Sequence, residues 1–292
     1  MDQPCGNIID GSSPFPKHSH VAMTLNPSPA LDGKRIVVIG GTGGIGLSAV
    51  TGFLATGACV VAVGLEREEL PPVARNLGKA ARFIHLDAIQ PETAPKAIEE
   101  CLSAYGGFDG LFHVAGGSGR RWGDGPLHEI TNEGWRLTVE LNLTSVFYSN
   151  RAAVRQFLSQ KTGGAVLNLT SVLAFAPSGQ HFATHSYAAA KSGIIGLTRS
   201  CASRYAPEGI RFNALAPGLV NTAMAKRAAG DPEIMAFVKT KQPLDGGRIG
   251  LPSDLDAAAV FFMSDASRFT TGQVLAVDGG WSVTEGQTAT RS

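Results

Sequence analysis

Arg35-Ile36-Val37-Val38-Ile39 runs straight into Gly40-Gly41-Thr42-Gly43-Gly44-Ile45-Gly46. The first segment is β-branched and apolar, the mark of a strand buried on both faces. Glycines end it, and a helical pattern follows from about Ile45 to Thr56, with Val50, Phe53 and Leu54 on one side and Gly57 as C-terminal cap. At such a junction glycines let the backbone turn tightly and approach a pyrophosphate, which the free N–H groups of the helix start would hold. The run satisfies three spacings at once: G-x-G-x-x-G (Gly41, Gly43, Gly46), G-x-x-G-x-x-G (Gly40, Gly43, Gly46) and G-x-x-x-G-x-G (Gly40, Gly44, Gly46). The loop alone does not choose between them.

Beyond this stretch the chain keeps alternating short apolar runs with helical patterns. Further strands are expected at Cys59–Val63, Arg82–Leu86, Leu111–Val114, Ala165–Leu169, Ile210–Leu215 and Val274–Val277. Helices are expected at Glu66–Leu77, Thr93–Tyr105, Asn132–Leu158, around Tyr187 and on to Tyr205, and at Pro252–Met263. This rhythm predicts an α/β fold, a doubly wound parallel sheet of the Rossmann type with about seven strands and helices on both faces. One domain is expected over residues 31–283, after an extended or disordered tail (1–30) and before a short C-terminal tail (284–292).

A formal net charge of +1 gives no electrostatic case for nucleic acid or an anionic membrane. Apolar runs such as Ala257–Met263 are far too short to span a bilayer, and the proline-rich start lacks the basic and apolar regions of a signal peptide. Cys5, Cys59, Cys101 and Cys201 show no zinc spacing, so a reduced, cytoplasmic setting is expected and no metal site. His18 and His20 in the tail are read as part of a mobile polar segment rather than as ligands.

Ser186-Tyr187-Ala188-Ala189-Ala190-Lys191 lies in an alanine-rich helical pattern, which puts Tyr187 and Lys191 on one face. An ammonium near a phenol favours the phenolate, so the pair suits proton transfer near neutral pH. Taken alone, Tyr-x-x-x-Lys is short enough to read as an ordinary helix face.

Its ordered partners change that. Gly40-x-x-x-Gly44-x-Gly46, Ser171 after a strand, Tyr187-x-x-x-Lys191 and Pro217-Gly218 after the next strand resemble the short-chain dehydrogenase/reductase family. So do Leu141-Asn142-Leu143, Asn213 to Gly218, Thr222, Arg248-x-Gly250-x-Pro252, Thr271-Gly272-Gln273 and Val277-Asp278-Gly279-Gly280. The resemblance covers about residues 31–283, in the compact single-domain branch. It implies an NAD(P)-dependent enzyme interconverting a secondary alcohol and a ketone by hydride transfer. Tyr187 would be the general acid/base, with Lys191 lowering its pKa and bonding the nicotinamide ribose. Ser171 would polarise the substrate oxygen, and Asn142 would position a water leading to Lys191. Gly40, Thr42, Gly43, Gly44, Ile45 and Gly46 would cradle the cofactor. Leu65, Glu66, Asp87, Ala115 and Gly116 would line its adenosine side and the sheet edge, and Pro217, Gly218, Val220 and Thr222 its nicotinamide end. Relatives are commonly homotetramers or homodimers, and the Asn132–Leu158 helix offers a face for this.

Three departures from the pattern stand out. Ile39 replaces the usual threonine before the loop, removing a hydroxyl that ties the turn to a neighbouring strand. His113-Val114 replaces an Asn-Asn pair ahead of Ala115-Gly116, with His113 read as a structural replacement. Ser171 and Tyr187 are sixteen residues apart, an unusual length whose excess around Pro177–His185 should rim the site. At the second strand's end, Gly64 and Leu65 precede Glu66 and Arg67, satisfying neither the usual NAD nor the usual NADP rule. The cofactor is therefore NAD(H) or NADP(H), leaning to NAD(H). Substrate walls are expected from Gly117–Gly125, Leu173–His185 and a mobile-looking Leu219–Lys241; Arg120 and Arg121 meet either an anionic substrate or solvent. Alternatives to a general alcohol–ketone enzyme are an NADPH-dependent 3-oxoacyl-thioester reductase and a non-catalytic NAD(P)-binding scaffold.

Overall fold

The computed structural model describes residues 30–65 and 78–287. The expected helix at Glu66–Leu77, with Glu66 and Arg67 in it, lies outside the described residues. So do residues 1–29 with His18 and His20, and 288–292.

In chain order come β1 (Arg35–Ile39), α1 (Gly44–Ala55), β2 (Cys59–Gly64), β3 (Ala81–His85), α2 (Thr93–Tyr105) and β4 (Gly110–His113). Next are α3 (Asn132–Val139), α4 (Ser145–Gln160), β5 (Gly164–Leu169), α5 (His185–Tyr205) and β6 (Ile210–Pro217). The short α6 (Lys226–Ala229), α7 (Pro232–Lys241), α8 (Asp256–Met263) and β7 (Val274–Val277) follow. Seven strands form one all-parallel sheet in the order β3-β2-β1-β4-β5-β6-β7.

The apolar run of β1 shows why both faces are covered. Ile36 and Val38 join a core with Val50 and Phe53 of α1 and Phe262 and Met263 of α8. Val37 and Ile39 point the other way, into a core with Ala97 and Ile98 of α2 and Val154 and Phe157 of α4. Alternation along one strand thus feeds two layers of helices. A third cluster, Val172, Ile234, Phe237, Val238 and Trp281, lies beneath the loops after β5 and β6.

The expected single helix Asn132–Leu158 is broken. Residues Glu140–Thr144 form a π-helical turn between α3 and α4, with Asn142 inside it. The physical reason is tertiary. Asn142 sends its amide hydrogens to Thr138 O one turn back and to Gly117 O, both at 2.9 Å, while its Oδ1 accepts from Gly117 N at 3.0 Å. A side chain pinned to a neighbouring loop widens the helix locally, a device common at functional sites. The segment Thr284–Gln287, expected to begin a tail, hydrogen-bonds α7: Thr284 Oγ1 donates to Lys241 O and Gln287 N to Thr240 Oγ1, both at 2.6 Å.

The order of the sheet reverses between β1 and β4. A crevice therefore opens beyond their C-terminal ends, the usual ligand position in such sheets.

Candidate active site

The glycine loop leaves β1 at this crevice. A Cβ on Gly46 would stand 1.9 Å from Gly40 O, and one on Gly40 only 2.6 Å from Ala115 N, so the loop closes tightly on itself and on the end of β4. Gly40 (φ 87°) and Gly44 (φ 50°) also occupy the left-handed region. A Cβ on Gly43 would meet nothing within 4 Å. The start of α1 carries no side-chain cap and no acid in its first turn, which leaves its N–H groups open to an anion. Ile39, despite its missing hydroxyl, is held by the backbone: Val114 N and Ala115 N both donate to its carbonyl, at 2.8 and 2.9 Å. Gly64 is obligatory beside Thr42, because a Cβ there would come within 1.9 Å of Thr42 Oγ1. Leu65 follows β2 next to it, and Asp87 after β3 accepts from Ile89 N through Oδ1 at 3.2 Å, shaping the turn into α2.

His113 closes β4. Its buried ring lies 2.7 Å from Ser149 Oγ through Nδ1 and 3.1 Å from Ala115 O through Nε2. A carbonyl only accepts, so Nε2 carries the proton and Nδ1 accepts from Ser149. The ring thus fixes the Ala115–Gly117 loop, as expected of a structural replacement. Burial, aided by the charge of Lys191, pushes the His113 pKa down to about 3. The unfolded chain, with a histidine near 6.5, binds more protons between these values. Stability therefore falls as pH drops through that window, by about 1.4 kcal/mol per pH unit from this group. His113→Asn should show a shallower loss of urea-unfolding free energy between pH 6.5 and about pH 4.5.

Beyond β5 stand Ser171 and Thr170, and α5 presents Tyr187 and Lys191. Ser171 shares a pocket wall with Tyr187, and its hydroxyl accepts from Leu173 N at 3.2 Å. Lys191 is buried; its Nζ donates to Leu169 O at 2.8 Å and lies 5.6 Å from the centre of the Tyr187 ring. Gly116 fits between Asn142 and Lys191: an added Cβ would sit 2.8 Å from Asn142 Oδ1 and 3.2 Å from Lys191 Nζ. Ser171 and Tyr187 open on a pocket of about 160 Å³ also lined by Ile45, Pro217, Gly218, Val220 and Thr222. Val220 is held there by its bridge to Gly250, and Asn221 N donates to Gly250 O at 2.8 Å, which accounts for the Arg-x-Gly-x-Pro stretch. All four expected catalytic residues thus surround one end of the crevice.

A family model described as enoyl-(acyl carrier protein) reductase matches residues 40–282. The chain is 34% identical, over 86% of its length and 98% of the relative's, to 2,5-dichloro-2,5-cyclohexadiene-1,4-diol dehydrogenase of Sphingobium indicum. A short-chain type dehydrogenase/reductase from Mycobacterium ulcerans superposes with a TM-score of 0.79 at 28% identity, covering 87% of this chain and 92% of that one. The chain belongs to the short-chain dehydrogenase/reductase family. A gluconate 5-dehydrogenase from Burkholderia cenocepacia, solved with NADP and tartrate, is similar too, with a TM-score of 0.78, 29% identity, and coverage of 87% and 97%. Oxidoreductase chemistry on hydroxyl groups with a nicotinamide dinucleotide follows from this membership, and the uncapped helix start with its close-packed glycines fits such a cofactor.

The electrostatics of this dehydrogenase/reductase correct one expectation. Lys191 does not bring the phenol down here. Burial pushes Tyr187 up to about 12, partly offset by the Ser171 hydroxyl, and burial pushes Lys191 down to about 7. Two groups shut into one low-dielectric site each disfavour their charged forms. At neutral pH the phenol holds its proton, ready to give it to a carbonyl oxygen.

Residues the sequence reading missed come from far along the chain. Asp124 is buried and accepts from Ser186 N at 2.9 Å and Tyr187 N at 3.0 Å, capping α5 in place of Thr184, whose side chain makes no cap bond. It is a positioning residue for Tyr187. Asp124→Ala strands two buried N–H groups and should cost about 1–3 kcal/mol of stability, with Asp124→Asn recovering part of it. Urea unfolding of the two variants measures this directly. Trp281 is buried beneath the pocket, donates to Ala176 O at 3.0 Å and packs edge-on against Phe182 and Phe237. It anchors both the long Ser171–Tyr187 connection and the Leu219–Lys241 segment, whose first part lines the pocket as expected and which contains α6 and α7.

Proposed function

We propose that the chain is an NAD(P)-dependent oxidoreductase interconverting a secondary alcohol and a ketone, with Tyr187 as general acid/base. The observation that carries this reading is that Ser171 and Tyr187 line the wall of one pocket, with Lys191 Nζ 5.6 Å from the centre of the Tyr187 ring. The cofactor, once bound, takes or supplies the hydride. Ser171 holds and polarises the substrate oxygen, and Tyr187 gives it a proton in reduction or removes one in oxidation. Lys191 and the remaining lone pair of Asn142 Oδ1 lie on the route by which that proton is replaced. Oxidation needs the phenolate, so its rate should rise with pH, whereas reduction draws on the phenol present below about 12.

Gly40, Thr42, Gly43, Gly44, Ile45 and Gly46 take the pyrophosphate, with Asp87 towards the adenosine. No basic residue stands in the loop to attract a 2′-phosphate, and no acid at Gly64 repels one. Discrimination should be small, in favour of NAD(H), with kcat/KM for the two cofactors within about tenfold, or 1.4 kcal/mol. Initial rates with each cofactor check this. A cytoplasmic homotetramer or homodimer built on one catalytic domain, residues 31–283, completes the reading. Exposed Phe147 and Leu158 on α4 and Leu275 on the edge strand β7 support such assembly, and among the described residues no helix is long and apolar enough to cross a membrane.

The test is nicotinamide absorbance with a broad ketone and alcohol panel, comparing wild type with Ser171→Ala. Turnover that drops by about 10²–10³-fold in the variant supports the reading. Turnover unaffected by the change removes it. The non-catalytic alternative predicts cofactor binding without turnover of any panel member.

A further inference from the structure

The pocket holding Ser171 and Tyr187 has an apolar body and a cationic mouth. Leu173, Phe182, Ala228 and Trp281 line its body. At its opening stand Arg120, from the short helical turn Gly119–Trp122, and Arg227 of α6. Both are exposed, and each donates through Nη2 to one and the same acceptor, the carbonyl of His181, at 3.4 Å. These two contacts are long and neutral, whereas a guanidinium is built to fork onto an anion.

Among the described residues, five other arginines are paired with acids, whereas Arg121, Arg151, Arg155, Arg199, Arg211 and Arg268, like Arg120 and Arg227, are not; of these unpaired arginines only Arg120 and Arg227 line the pocket. Arg35 pairs with Asp109, Arg82 with Glu100, Arg136 with Glu133 and Glu140, Arg204 with Glu208, and Arg248 with Asp245 and Asp254. Among the described residues, neither Arg120 nor Arg227 has an acid within ion-pair distance. Asp124, the acid that acts on Arg120, has both oxygens committed to the start of α5. Burial, and after it the charge of Arg227, weakens the hold of Arg120 on its proton. Two like charges gathered on one neutral carbonyl repel, and an anion placed between them reverses that repulsion.

We propose that Arg120 and Arg227 bind the carboxylate of the substrate, so that the enzyme acts on hydroxy and oxo acids with an apolar middle. The proposal rests on the oxidoreductase reading for the position of the reacting carbon. It adds that the acid group lies at the mouth while the alcohol or ketone meets Ser171 and Tyr187. Because the mouth is exposed, the preference for the acid should shrink with salt.

Hydroxycyclohexane carboxylic acids and their methyl esters, alike in body and different in charge, are the probes. Wild type should prefer the acid by about 10–100-fold in kcat/KM, mostly through KM, as expected of two charge-assisted contacts in an exposed site. In Arg120→Gln/Arg227→Gln the acid-to-ester ratio should fall at least about tenfold, and Arg120→Lys/Arg227→Lys should restore part of it. Calorimetric titration of the same acid and ester into the protein with NADH reads binding without turnover. An inactive protein that still prefers the acid, and loses that preference in the double variant, defeats the oxidoreductase reading and keeps the carboxylate site. Equal handling of acid and ester by wild type, or a preference unchanged in the double variant, overturns the carboxylate site.

Discussion

Tyr187→Phe is expected to lower kcat/KM by about 10²–10⁴-fold in both directions, the range a positioned general acid or base supplies. The loss should fall on kcat, with cofactor affinity and thermal midpoint close to wild type. Phenylalanine fills the same space on α5, and the lost hydroxyl faces an open pocket rather than the core. A loss confined to KM would assign Tyr187 to binding alone. Initial-rate kinetics with one ketone and its alcohol, alongside thermal unfolding, separate these outcomes.

Gly46→Ala should be as damaging for a different reason. Its new Cβ would lie 1.9 Å from Gly40 O, 2.8 Å from Gly40 C and 3.1 Å from Gly41 Cα, all backbone atoms of the loop itself. Relief requires the loop to open, which costs about 1–3 kcal/mol as an overpacked core does. Dinucleotide affinity should weaken by at least about 100-fold, because the N–H groups at the start of α1 lose their arrangement. Gly43→Ala is the control. Nothing lies within 4 Å of its Cβ, so this variant should fold like wild type, and any loss of affinity reports the ligand rather than packing. Fluorescence titration with NADH and urea unfolding of both variants provide the comparison.

The parts legible in the sequence are those with local causes. The β1 run, the glycines and the β–α rhythm specify the sheet because strand burial and tight turns are written in neighbouring residues. Strand ends moved by only a residue or two: Leu111–Val114 became Gly110–His113, and Ile210–Leu215 extended to Pro217. The π-turn at Asn142 was not legible, since it depends on bonds to Gly117 across the fold. Asp124, Arg227 and Trp281 were missed for the same reason, because crossover connections bring them to the pocket from distant sequence. The Tyr187–Lys191 spacing was readable, but not the burial that reverses the direction of the phenol's pKa. A motif gives distance along a helix and says nothing of the dielectric around it.

Arg120 shows both sides of this. Its place in a substrate wall was expected, yet its partner across the mouth was not, and the shared His181 carbonyl exists only in the folded chain.

The most direct test of the site is isotope transfer. With reduced cofactor deuterated at the transferring carbon and a panel of ketones, wild type should form alcohol carrying one deuterium per molecule, and Tyr187→Phe should form almost none while still binding the cofactor. Cofactor bound by wild type with no deuterium delivered to any ketone would contradict catalysis at Tyr187 and leave a dinucleotide-binding scaffold.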